Sequence, residues 1–482
     1  MNREELYQLE QNKLFESLLD RYYFQSFRGE VDTQVTNGRM IELFIKGTCN
    51  SGCKYCYLIK HSKELYPQDC QSEEQILNNL RAFCKWYIKN KFNTNIVFFT
   101  GEIITSGLLF KILDIFLEYF SDETNPYRPI DIIYPENCDF LENEELTNKV
   151  QEYIDKFKEV NLKFALSLSI DGKYMDDNRN KKHTKDFYKK VGEFADKNFF
   201  GFHPMVSAIN IDKWIENYKW WAEGEDIPKA LGNYLMMLEV RDDNWSDEAI
   251  NQYLKFLNFL IDYNYDKLGR NKETFAKRVF INKNILHYYD NLSISSSLDS
   301  KDSFDANGLS CSVQKNLCIR LGDMAIVPCH RTSYDKYVSG YLDVDKDNNE
   351  VVGYIGKNVE GLISIYSWNK NSAPWCSKCD IKYWCPGPCL GSDYECNGDM
   401  FQPPKSVCRL YHARVAFLLM KYEEMGLYEE AKKFLPKEKI TLYEDYYRKI
   451  RNGMNKYDEV IRSYIDDEEA NGGRASTVRT QS

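Results

Sequence analysis

The chain has 482 residues with 73 acidic and 63 basic side chains, a formal charge of −10. That balance speaks against a nucleic-acid or anionic-membrane partner held by bulk electrostatics. The length suggests roughly three domains at about 150 residues each, so the 15 cysteines are not needed as disulfide staples. The start, MNREELYQLEQNKLF, is charged throughout, with no apolar signal core. No segment reaches about 18 uninterrupted apolar residues. These features predict a cytoplasmic protein whose thiols stay reduced or bind metal, with no nucleic acid and no membrane among its partners.

In chain order, residues 1–37 read as an N-terminal extension. Short apolar, β-rich runs follow at 40–45, 96–99, 131–134, 164–170, 203–209 and 234–240. Between most of them lie helical patterns, SEEQILNNLRAFCKWYI, LLFKILDIFLEYF and ELTNKVQEYIDKFKEV, whose apolar residues recur at three and four. Alternating strands and helices predict an α/β fold with a parallel sheet and right-handed crossovers. A partial (β/α)6 TIM-like barrel over 38–245 is the natural form, with its chemistry at the C-terminal strand ends. Beyond it come a helical bridge at 246–305, a cysteine-rich domain at 306–410 and helices at 411–465. A polar, Gly-rich tail at 466–482 is predicted to be disordered.

The cysteines fall into groups. Cys49-x3-Cys53-x2-Cys56 directly follows the first strand run. Cys311-x6-Cys318-x10-Cys329 and Cys376-x2-Cys379-x5-Cys385-x3-Cys389 come late, with Cys396 and Cys408 closing the series. Cys70, Cys84 and Cys138 are isolated and read as core thiols. Thiolates this close in Gly- and Pro-containing loops can converge on one centre, because such loops turn freely. Soft thiolates suit zinc or iron–sulfur clusters. Near the first group the only histidine is His61, so three cysteines there lack a fourth ligand of the usual zinc kind. On a four-iron cluster, three ligands leave one iron open to a small molecule.

IKGTCNSGCKYCYL resembles the signature of the radical S-adenosylmethionine (radical SAM) superfamily, an aromatic residue preceding the last cysteine. The resemblance implies a 4Fe-4S cluster on Cys49, Cys53 and Cys56 that takes the amino and carboxylate groups of S-adenosylmethionine, with Tyr55 at the adenine. FFTGEI resembles the Gly-Gly-Glu-Pro motif that receives the methionine amino group. Gly101 and Glu102 are retained, Thr100 and Ile103 depart from it, and an acceptor beside a free backbone N–H is expected to remain. LSLSIDGKYMDDNR resembles the family's Ser-x-Asp-Gly…Arg segment, which implies Ser169 and Asp171 on the ribose side and Arg179 on the methionine carboxylate. Asn210 and Leu238 are positional candidates for ribose and adenine contacts, with plain packing as the alternative for either.

Residues 311–408 resemble the SPASM extension of radical SAM peptide modifiers. That resemblance implies two auxiliary 4Fe-4S clusters, Cys311, Cys318, Cys329 and Cys389 on the first, and Cys376, Cys379, Cys385 and Cys408 on the second. Cys396 competes with Cys408, which is favoured because it enters the helix CRLYHARVAFLLMKYEEMG. Cys318 stands where some members leave a site open. LGDMAIVPC predicts a β-hairpin presenting Cys329. His330 lies where sulfatase-maturing members tend to carry an acidic base and can itself accept a proton; a bystander histidine is the alternative.

The implied cofactors are three 4Fe-4S clusters and S-adenosylmethionine. The implied activity is that of a radical SAM oxidoreductase, a maturase that cross-links a ribosomally made peptide through thioether or carbon–carbon bonds. A precursor peptide and a flavodoxin- or ferredoxin-type reductant are the expected partners. Residues 1–37 are too short for a leader-binding winged helix, so a separate leader-binding protein, the barrel exterior or this extension would recognise the leader. Alternatives are a sulfatase or quinoprotein maturase, a peptide epimerase, a non-enzymatic iron–sulfur electron carrier and a zinc-binding interaction module.

Overall fold

The computed structural model describes residues 2–30, 40–65, 72–179, 181–224, 238–241, 244–267, 269–273, 312–314, 316–382, 385, 387–433, 437, 440–441, 444–445 and 447–449. Strands β1 (Met40–Phe44), β2 (Asn95–Phe99), β3 (Asp131–Glu136) and β4 (Lys163–Leu168) lie side by side in parallel. Their crossovers are the helices Glu73–Lys89, Leu108–Phe120 and Glu144–Glu159. Ser72 and Asn143 cap the first and last of these by accepting from Gln75 N at 3.4 Å and Leu146 N at 3.2 Å.

β5 (Met205–Val206) and β6 (Leu238–Glu239) form a separate parallel pair, tied to the main sheet by a bridge between Leu168 and Phe202. The predicted fifth run is thus cut to two residues. Pro204 has no N–H to give a ladder, and Asn210 captures Ser207 N at 2.8 Å into a turn. Most of the sixth predicted run lies outside the described residues.

On its other side β1 pairs in parallel with β7 (Leu317–Arg320), and the sheet continues antiparallel through β8 (Ala325–Val327), β9 (Gly340–Asp345) and β10 (Glu350–Gly356). The order β10-β9-β8-β7-β1-β2-β3-β4 makes one eight-stranded sheet from the barrel and the cysteine-rich region. The predicted hairpin is present as β7–β8, Arg320 opposite Ala325.

The N-terminal extension is the helix Arg3–Leu19 running on through a π-helical turn, Asp20–Phe24. It covers the edge strand: Gln8 Nε2 donates to Gly356 O at 2.9 Å, Asn12 Oδ1 accepts from Gly356 N at 3.0 Å, and Phe15 is wholly buried. Among the described residues no helix is long and apolar enough to cross a membrane.

Candidate active site and cysteine centres

The loop carrying Cys49, Cys53 and Cys56 leaves the C-terminal end of β1, and the segments that follow β2, β3 and β4 pin it. The loop after β2 passes so close that a Cβ on Gly101 would lie 1.9 Å from the Thr48 carbonyl oxygen, so only glycine fits. Gly101 N donates to Lys46 O at 2.6 Å, which corrects the free N–H expected there. Glu102 turns back to accept from Ile104 N at 2.5 Å and Thr105 N at 2.9 Å. From β3, Asn137 Nδ2 donates to Asn50 Oδ1 at 2.9 Å and Ser51 Oγ at 2.7 Å.

From the loop after β4, Asp171 accepts the Tyr55 hydroxyl and, at 2.9 Å, the Met205 amide. Arg179 stands 3.6 Å from Asp171 and donates to the Ser169 carbonyl. Burial works against the Arg179 charge, but Tyr55, Asp171 and Cys53 outweigh it and hold the guanidinium as a cation. Tyr55, Asp171 and Arg179 therefore form one buried unit that clamps the cysteine loop onto the sheet. Asn210 accepts from Ser207 N and Trp214 Nε1 and donates to Met205 O, so its amide builds the turn after β5. Leu238 sits in β6 opposite Met205.

The three thiols lie within electrostatic reach of one another. Burial pushes Cys53 up to about 11, with Asp171, Cys56 and Cys49 adding and Arg179 opposing. Burial raises Cys56 too. Burial raises the isolated Cys84 and Cys138 as well, so it is the shared loop, and not the shift, that makes Cys49, Cys53 and Cys56 a candidate ligand set. Among the described residues no three Cys, His, Asp or Glu side chains already surround one metal-sized point. The loop gathers the ligands without drawing them in.

Two acidic groups flank this centre, and sequence reasoning missed one of them. Glu136, the last residue of β3, is 2% exposed, and neither carboxyl oxygen makes a hydrogen bond of good geometry. Burial first, and Glu102 second, push it up to about 8, against Tyr134 and the Asn137 and Cys138 amides. Lys181, ion-paired with Asp139, is within reach of Cys49, Glu102, Glu136 and Cys53.

His330 has a partner that the sequence did not point to. Its Nδ1 lies 3.0 Å from Glu42 Oε2, its ring stacks on Phe99 at 3.6 Å, and Glu42 also accepts from Asn316 Nδ2 at 3.1 Å. Burial pushes Glu42 up, but His330 and these hydrogen bonds outweigh it and hold the carboxyl below its usual range. The signal available was a lone glutamate in the middle of an apolar strand, MIELF.

The late cysteines divide. Cys376, Cys379, Cys385, Cys389 and Cys408 line one cavity with Arg241, Lys370, Asp393 and His412. Burial raises Cys408 well above the usual thiol range, with Cys385, Cys379 and Cys376 adding, so these four are mutual neighbours. Cys396 is exposed on the helix Leu390–Asn397. Burial likewise takes Cys376 and Cys379 to about 12. Four neighbouring thiols lining one pocket are a donor set of the kind that holds a four-iron cluster.

Cys329 packs with Val313, Ile365, Leu390 and Met400. Cys318, opposite Glu42 in β7, belongs to a different apolar cluster, against which Cys56 packs. Burial, Glu42 and Cys329 raise it. Cys311 and Cys70 lie outside the described residues.

No protein-family model matches the chain. In sequence it is similar to the radical SAM cyclopropyl synthase TigE of Paramaledivibacter caminithermalis, 21% identical over 408 residues, 81% of this chain and 76% of that protein. In structure it is similar to native anSMEcpe with bound AdoMet and Cp18Cys peptide, with a TM-score of 0.50 and 16% identity over 80% of this chain and 98% of that one. Native anSMEcpe with bound AdoMet matches over the same shares at a TM-score of 0.50 and 15% identity. The likeness in sequence is to a radical SAM enzyme and the likeness in structure is to the fold of an AdoMet-bound protein, and both agree with the resemblance carried by the cysteine motifs.

Proposed function

We propose that the chain modifies a ribosomally made peptide by radical chemistry, oxidising it by two electrons to close a carbon–carbon or thioether bond. The observation that carries this is the gathering of Cys49, Cys53 and Cys56 at the mouth of the parallel sheet, clamped by Tyr55, Asp171 and Arg179. A relative named as a cyclopropyl synthase favours carbon–carbon closure, and a fold relative held AdoMet together with a peptide.

Cys49, Cys53 and Cys56 would hold a 4Fe-4S cluster, which would supply the electron for reductive cleavage of S-adenosylmethionine and so the means to take an unactivated hydrogen. The chain's part is to hold the target close and keep water out. Glu102 offers its carboxyl to a cationic ligand, with Glu136 beside it holding its proton up to about 8; Ser169 is the candidate for the ribose and Leu238, in β6, for the adenine. One substrate hydrogen leaves with deoxyadenosine. The second leaves as a proton, for which His330 on Glu42 is the acceptor, and an electron. A cluster on Cys376, Cys379, Cys385 and Cys408 would take that electron. Cys311, Cys318, Cys329 and Cys389 would hold the third cluster, and a flavodoxin- or ferredoxin-type protein would be the external reductant.

The test is anaerobic incubation of the reconstituted protein with S-adenosylmethionine, reductant and the peptide encoded beside its gene. A product lighter by two hydrogens is expected. Unchanged mass with inverted chirality would replace cross-linking by epimerisation.

A further inference from the structure

Lys370 is 3% exposed, at the wall of the cavity lined by Cys376, Cys379, Cys385 and Cys408. It follows the helix Val359–Ser367, and its Nζ donates to the Cys385 carbonyl at 2.6 Å. An ammonium removed from water is costly unless negative charge stands against it. Burial lowers the pKa of Lys370 and Arg241 adds to that, while Cys385, Cys376 and Cys379 favour its charge, so the thiols that line the cavity stand within its electrostatic reach.

A cluster on four thiolates gains one negative charge on reduction. A fixed cation beside it stabilises the reduced form more than the oxidised one, and more strongly where water is excluded. We propose that Lys370 sets the reduction potential of the cluster at Cys376, Cys379, Cys385 and Cys408, raising it so that this centre accepts an electron. The couple is a one-electron reduction with no proton taken up. The inference rests on the reading of this cavity as a cluster site and adds to it a residue that touches no iron.

The experiment is a potentiometric titration of the anaerobically reconstituted full chain, followed by electron paramagnetic resonance. The signal lost in Cys376→Ala and Cys408→Ala identifies the centre. Lys370→Met should move that midpoint negative by about a tenfold change in the reduction equilibrium, about 59 mV for one electron, and leave the other centres in place. Lys370→Gln keeps a donor to the Cys385 carbonyl without the charge and should shift it equally, whereas Lys370→Arg should hold the wild-type value. An unmoved midpoint in Lys370→Met, or a wild-type midpoint in Lys370→Gln, would overturn the proposal. Iron content unchanged by both cysteine replacements would instead remove the cluster reading and the proposal with it.

Discussion

Cys49, Cys53 and Cys56 share one loop at the mouth of the sheet, with Cys49 exposed and two carboxyl groups, Glu102 and Glu136, beside them. Cys376, Cys379, Cys385 and Cys408 come from a loop and a helix, around a cavity walled by Lys370 and Arg241. Ligand number separates the two more cleanly than charge does: Arg179 and Lys181 also stand within reach of the first set, and Asp393 lines the second cavity. Three thiols suit a centre that leaves a position open to a small ligand. Four thiols suit a closed centre.

The largest effect should come from breaking the open centre. Replacing Cys49, Cys53 and Cys56 by alanine is expected to abolish 5′-deoxyadenosine formation while leaving the iron of the late cysteines in place. Nucleoside detection after anaerobic turnover checks it, and persistent product would move the chemistry elsewhere.

The closed centre is sharpened by a pair of replacements. Cys408→Ala should lose about four irons per chain and Cys396→Ala none. Cys408 neighbours Cys376, Cys379 and Cys385, whereas Cys396 is exposed on its own helix. Iron loss in Cys396→Ala would exchange the two in the ligand set.

His330, paired with Glu42, packs against Tyr57, the residue after Cys56, and against Phe99. His330→Gln should lower peptide product by roughly a hundredfold or more while 5′-deoxyadenosine still forms, the split expected when proton transfer fails after hydrogen abstraction. Equal losses of both would make His330 structural.

How much of this was legible depended on whether chemistry repeats in the sequence. The strands β1 to β4 and the cysteine spacings were, because apolar runs and short Cys intervals are local. The choice of Cys408 over Cys396 followed from helix entry alone. The continuous sheet was not legible, because pairing of β7 with β1 joins residues far apart in the chain. Glu136 in YPENCD and Lys370 in a polar loop carry no motif. Their meaning comes from burial, and burial is a property of the fold. Gly101 was noticed for a motif, and its close approach to Thr48 is a reason that the motif does not contain.

The smallest expected effect tests whether the acidity beside the open centre is stored as a proton. Glu136 has a folded value of about 8 against an ordinary 4.5, raised by burial and Glu102. Between those values the native state holds a proton that the unfolded chain has given up. Stability from this group is therefore full below about pH 4.5 and is lost as pH rises through about 8. The loss amounts to no more than a few kcal/mol. Glu136→Gln keeps the shape and removes the proton, so its thermal midpoint should fall less than the wild type's between about pH 6 and about pH 9. Parallel curves would mean that Glu136 is already ionised and paired. The open centre would then carry a fixed negative charge at Glu136 rather than a stored proton.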